Sequence, residues 1–203
     1  SKKALSVFIM IKIRVPATSA NIGSGFDELG LAVNLYAYVS FEASDHYAYE
    51  GIEARYQEDN LIKQAYEYTC TQENFPVQAL KITLSSDIPI ARGLGSSSSL
   101  IVAGVSAALL LNTNKLDKDV ILKHSVAIEG HPDNVAPAIY GGLIHSIKEN
   151  GVYAIHSLPI HQDLVFTFLI PDFELSTKLS RSVLPKTYTQ ETLDLSQRKL
   201  KHQ

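Results

Sequence analysis

Residues 88–99 read IPIARGLGSSSS, with two glycines one residue apart and then four serines. Gly93 and Gly95 lack the Cβ that keeps a backbone from approaching a ligand closely. Ser96, Ser97, Ser98 and Ser99 would add hydroxyls and unpaired N–H groups at the first turn of a following helix. A helix N-terminus leaves about four N–H donors unpaired and carries the positive end of the dipole, which suits phosphate. Three better-known loops fit poorly. A P-loop needs a lysine after its glycines, and none follows. A dinucleotide fingerprint needs glycine where Ser98 stands. A serine-hydrolase elbow needs glycine where Ser99 stands. A flexible capped loop before a helix would look the same, so other segments must decide.

Two more clusters bear on the choice. Residues 129–137, EGHPDNVAP, set Glu129, His131, Asp133 and Asn134 within six positions. Such a set could bind Mg²⁺ through one or two carboxylates, or position a hydroxyl for phosphoryl transfer. A helix break, with His131 in a turn and Asp133 as a cap, is the structural alternative. Residues 16–27, PATSANIGSGFD, place Asn21 and Asp27 among small residues. They read either as a tight turn with Gly23 and Gly25 at positive φ, or as a pocket wall whose aspartate holds an ammonium group.

The elements that must carry these clusters follow from periodicity. Residues 11–15 alternate apolar and charged, the period of a half-buried strand, and Pro16 is expected to end it. Further strands are expected at 35–42 and 77–84, the latter with Leu80, Ile82 and Leu84 on one face. Asp59 or Asn60 can cap a helix over 60–69. The run at 97–111 is apolar on every side and so predicts a buried helix. A second, amphipathic helix is expected over 117–128 with Asp117 as its cap. Pro132 and Asp133 open a short third helix. Strands are expected at 142–147, 152–157 and 164–170, the first two joined through Asn150 and Gly151, a strong hairpin signal. Helices over 176–184 and 189–201, split by Pro185, close the chain. Strands, then helices, then antiparallel strands argue for an α+β class.

Composition sets outer limits. A chain of 203 residues with 45% apolar and 19% charged residues can bury an ordinary core. A formal charge of -3 gives no broad surface for nucleic acid or membrane, so neither partner is expected. Cys70 is the single cysteine, which favours a reducing compartment and a cytoplasmic location. No membrane span is expected, because no apolar run approaches about 18 residues. Met10 is read as the natural start, with residues 1–9 an extension.

Together PATSANIGSGFDELGLA, PIARGLGSSSS and EGHPDNVAPAIYGGL resemble the GHMP family of small-molecule kinases, and within it the homoserine kinases. The match runs from residue 10 to about 195, in order and in approximate spacing. EGHPDNVAP is its most specific part, whereas the glycine–serine loop marks only the wider family. A fourth stretch, STKLSRSVLP at 176–185, resembles the family's substrate-contacting helix. The resemblance implies an α+β GHMP kinase-like fold. Its N-terminal domain, ribosomal-protein-S5-domain-2-like, would span 10–160, and an incomplete ferredoxin-like C-terminal domain would begin at 161–203.

The resemblance also implies ATP and Mg²⁺ as cofactors and L-homoserine as the small-molecule substrate, phosphorylated on its hydroxyl in threonine biosynthesis. Pro89, Gly93, Leu94, Gly95, Ser96, Ser97, Ser98 and Ser99 would hold ATP, with Asn60 at the adenine. Ser97 and Glu129 would hold Mg²⁺. Asn21 and Asn134 would meet the substrate hydroxyl region, Asp27 its ammonium, and His131, Thr177 and Arg181 its carboxylate. Arg181 would do so through a planar fork. Asn134 and Asp133 are the catalytic candidates, and positioning is favoured over a base role for Asp133. The family's chains are longer and end in a second domain, with a further glycine-rich stretch and a further arginine. No such stretch is found here, so a shortened chain that self-associates into a homo-oligomer through exposed apolar surface is expected. Two alternatives stay open: a GHMP kinase of mevalonate type, and an inactive nucleotide-binding remnant.

Overall fold

The structure, a computed structural model, describes residues 10–23 and 25–173, together with positions 182, 187, 189 and 192. Thr177, Arg181 and the two C-terminal helices expected from the sequence lie outside the described residues, as do residues 1–9. So does most of the expected second unit at 161–203.

The first strand, β1 (Ile11–Ala20), turns Ile11, Ile13 and Val15 inward and leaves Lys12 and Arg14 outside. It pairs antiparallel with β2 (Leu29–Ala43), on which Ala37, Val39 and Phe41 are fully buried by the same alternation. Pro16 does not end β1, as expected from the sequence. The ladder instead slips between Pro16 and Ala17, leaving Asn34 and Leu35 without opposite residues on β1. A proline has no N–H for the ladder, and an irregularity absorbs the missing bond while the strand continues. β2 also begins at Leu29, ahead of the strand expected at 35–42, and Thr18, Ser19 and Ala20, read from the sequence within a possible turn, are strand residues.

Because β1 runs along one edge of β2, two other strands share its opposite edge. β4 (Leu80–Ser86) pairs with residues 37–43 of β2, and β5 (Leu143–Glu149) with residues 29–31, both antiparallel. β4 begins three residues later than expected. β5 returns through Asn150 and Gly151, both at positive φ, into β6 (Val152–Leu158). A short β3 (Ala48–Glu50), not expected from the sequence, adds parallel to β4. The expected strand at 164–170 is absent: the segment joins no ladder, and Val165 and Leu169 are 87% and 95% exposed. Apolar character alone does not make a strand, which also needs a neighbouring edge to pair with.

Four helices complete the described α+β fold: α1 (Leu61–Gln72), α2 (Ser96–Thr113), α3 (Lys118–Glu129) and α4 (Val135–Tyr140). Asp117 caps α3 by accepting from the N–H groups of Asp119 and Val120. By length and composition α2 could cross a membrane, which corrects the expectation of no such run. Its window is 61% buried inside the fold, and it is the core helix. Its Ile101 and Val105 share one core with Val15, Phe41, Ile62, Tyr66, Leu80 and Ile82. Gly104 brings α2 against α1 so closely that a Cβ there would lie 2.3 Å from the Ile62 carbonyl oxygen. A smaller apolar cluster, Ala17, Ala37, Ile88 and Leu94 with Phe168 against it, supports the loop that precedes α2.

Candidate active site

The loop before α2 is fixed from both sides. Its Leu94 carbonyl accepts the Thr18 N–H of β1 at 3.1 Å, and the Ile88 N–H bonds the Ser86 hydroxyl at 3.1 Å. Gly95, at φ 63°, is the N-cap of α2 and supplies no side-chain cap. The N–H groups of Ser96, Ser97 and Ser98 therefore have no partner within the helix, while Ser99 N–H already bonds the Gly95 carbonyl. A Cβ on Gly95 would lie 2.0 Å from Thr18 Oγ1 and 3.2 Å from Asn134 Oδ1, so only glycine fits. Strand β1, the loop and the residues before α4 meet at this point.

A cavity of about 790 Å³ opens over this loop. Of the residues singled out from sequence, Asn21, Asn60, Gly93, Leu94, Gly95, Ser96, Ser97, Ser98, Glu129, His131, Asp133 and Asn134 line it. Asp27, Pro89 and Ser99 do not. Ser99 is 1% exposed, and its hydroxyl donates to the Ser96 carbonyl, so it serves the helix and not a ligand. Asn60 lines the cavity, but its amide is engaged: Oδ1 caps α1 by accepting Lys63 N–H, and Nδ2 donates to the Tyr56 carbonyl.

Glu129 ends α3 beside the start of α2. Its Oε1 accepts both the Ser97 and the Ser98 hydroxyl, at 2.9 and 2.8 Å. Two hydroxyls and a carboxylate are hard oxygen donors of the kind Mg²⁺ prefers. Ser97 and Glu129 are therefore placed where they could hold Mg²⁺, the role the resemblance implied for them.

The other end of the cavity is built from two turns. Asn21, at φ 59°, accepts the Asp27 N–H on its side-chain oxygen and folds the β1–β2 connection back on itself. The α3–α4 connection presents His131 and Asp133. The Asp133 side chain is fully buried; Oδ1 binds His131 Nδ1 and accepts the Asn134 N–H, while Oδ2 has no hydrogen-bond partner among the described residues. One ligand atom from each of Asp27, His131 and Asp133 lies within 4.8 Å of the others. Asn134 in turn accepts the Thr18 hydroxyl at 2.9 Å. The sequence had no obvious claim on Thr18, which is fully buried and ties β1 to the site. Arg92 was also missed, although it is the one cation within the glycine–serine loop. It lines the cavity and donates to the Pro171 carbonyl.

Residues 60–142 match the GHMP kinases N terminal domain. A homoserine kinase of Clostridium botulinum (strain Eklund 17B / Type B) is 45% identical over 180 residues, covering 87% of this chain and 60% of that protein. The chain thus spans about three fifths of the length of such relatives. The solved structure of a homoserine kinase from Cytophaga hutchinsonii superposes with a TM-score of 0.77 at 27% identity, covering 98% of this chain and 68% of that one. A mevalonate kinase from Methanococcus jannaschii, 18% identical with a TM-score of 0.57, shares the fold alone. The chain is therefore a homologue of the homoserine kinases and carries, at residues 60–142, the N-terminal domain of the GHMP kinases.

Proposed function

We propose that the chain belongs to an enzyme that transfers the γ-phosphoryl group of ATP to the hydroxyl of L-homoserine. The observation that carries this reading is the polarity of one cavity. Its α2 end presents N–H groups and serine hydroxyls suited to phosphate, and its far end is lined by His131 and Asp133, with the Asp27 carboxylate within 4.8 Å of both, a set suited to an ammonium group. Apolar residues including Ile52, Leu84 and Ile90 line the same cavity beside Asn60, in keeping with an adenine site there. Mg²⁺ would be held by Ser97 and Glu129 and would neutralise phosphate charge.

In the reaction the substrate hydroxyl oxygen bonds to the γ-phosphorus, the bond to the β-phosphate bridging oxygen breaks with its electron pair leaving on ADP, and the hydroxyl proton passes to solvent water. Phosphoryl transfer asks mainly for positioning and charge stabilisation. Asp133 serves the first: buried and bonded to both His131 and Asn134, it fixes the residues that face the acceptor. Mevalonate, which lacks an ammonium, would meet Asp27 and Asp133 with its own carboxylate. The exposed apolar residues Leu164, Val165, Leu169 and Phe173 support self-association of the chain.

ADP release measured with L-homoserine, mevalonate or no acceptor tests the reading. Release that depends on L-homoserine supports it. Release with mevalonate favours the other substrate, and ATP binding without turnover favours an inactive remnant.

A further inference from the structure

The anionic end of the cavity has a donor set that goes beyond an ammonium site. Two carboxylates and an imidazole, one ligand atom from each within 4.8 Å, are the ligands of Zn²⁺ and its neighbours. Asp133 Oδ2 supplies an independent sign: it is a carboxylate oxygen with no hydrogen-bond partner among the described residues, on a side chain with no exposure at all. A buried polar atom left unsatisfied is costly, so a cation beside it relieves a cost already built into the fold. Four-coordinate zinc holds O and N donors at about 2.0–2.2 Å, which puts neighbouring donors about 3.3 Å apart. Asp27 and His131 are both partly exposed, so an ion can reach the cluster from solvent. Mg²⁺ prefers oxygen-only donors and is better served by Ser97 and Glu129.

We propose that Asp27, His131 and Asp133 form a binding site for a first-row transition-metal ion of the Zn²⁺ class, which excludes the substrate's ammonium group from the same place. The ion would clamp the β1–β2 turn, which carries Asp27, to the α3–α4 turn, which carries the other two ligands. The exclusion rests on the homoserine reading; the metal site does not.

Calorimetric titration of the metal-stripped 203-residue chain with Zn²⁺, in excess Mg²⁺, tests both parts. One saturable site is expected, weakened about tenfold or more in Asp27→Asn and in His131→Gln. Asn tolerates the φ of 60° at position 27, and far-UV circular dichroism confirms that both variants fold. His156→Gln, on the β5–β6 hairpin opposite His145, should leave the affinity unchanged. L-Homoserine should raise the apparent Kd for Zn²⁺. Absence of saturable binding, equal binding in the Asp27 and His131 variants, or a loss confined to His156→Gln would overturn the site. L-Homoserine that binds without weakening Zn²⁺ would overturn the exclusion. Zn²⁺ binding that behaves as expected, in a chain that neither binds nor phosphorylates L-homoserine, would support the metal site and remove the homoserine reading instead.

Discussion

The two ends of the cavity are made of different materials. At the α2 end the binding groups are mostly backbone, N–H donors left over at a helix start whose cap is a glycine. At the other end they are side chains, two carboxylates and an imidazole from turns more than a hundred residues apart. A backbone site depends on one local conformation and tolerates change around it. A side-chain site depends on how distant segments are packed, so a packing error far from any ligand should damage it.

The largest expected effect follows from that contrast. At Gly30 a Cβ would lie 1.7 Å from the Asp133 carbonyl oxygen and 2.8 Å from Pro137 Cγ. Gly30→Ala must therefore displace Asp133, and activity should fall on the order of 100-fold, as misplacement of about 1 Å can do. Gly93→Ala meets nothing within 4 Å and bears only the strain of a φ of 76°, about 1 kcal/mol. Steady-state kinetics and thermal melts of the two variants should separate widely. Equal losses would erase the distinction.

Asp133→Asn sharpens it next. Activity should drop by about 100-fold through misplacement of His131 and Asn134, with the shape of the pH–rate profile kept. An ionisation lost from that profile would make Asp133 the base.

How far each end was legible in the sequence follows the same division. The glycine–serine loop, the Asp117 cap, the buried α2 and the hairpin at Asn150 and Gly151 are local features, and local pattern found them. β1 running through Pro16 was not legible, because the slip depends on what β2 does opposite it. The apolar stretch at 164–170 looked like a strand, but strand formation needs an edge that the sequence does not announce. Asp27 and His131 were each singled out, yet their proximity was given only by the resemblance to a family. Thr18 escaped notice because its partner, Asn134, lies 116 residues away.

A smaller effect tests the backbone end. Ser97→Ala, which removes a hydroxyl facing Glu129, should weaken ATP binding several-fold, the order expected for about 1 kcal/mol. Ser99→Ala should change ATP affinity little, because that hydroxyl is spent inside the helix. Nucleotide titrations that rank the two the other way would show that the loop binds in a different register.

The smallest effect at neutral pH comes from tyrosines outside the acceptor site. Burial pushes the Tyr66 phenol up to about 12, and burial together with the Asp119 carboxylate does the same for Tyr140. Both favour the protonated form in the folded chain. Their contribution is complete below the unfolded value near 10 and is lost as pH rises from there to about 12. Denaturant midpoints should be insensitive to these groups up to pH 9 and should fall across that alkaline window. A flat alkaline limb would contradict the burial of Tyr66.

The central claim, one cavity with a phosphate end and an ammonium end, is tested most directly by a pair of acceptors. L-Homoserine and 4-hydroxybutyrate carry the same hydroxyl and carboxylate and differ in the ammonium group. ADP release should favour L-homoserine in kcat/KM by a factor on the order of 10⁴, as expected where buried polar groups would otherwise go unpaired. Comparable use of the two acceptors would contradict the account, because Asp27 and Asp133 would then contribute nothing to recognition.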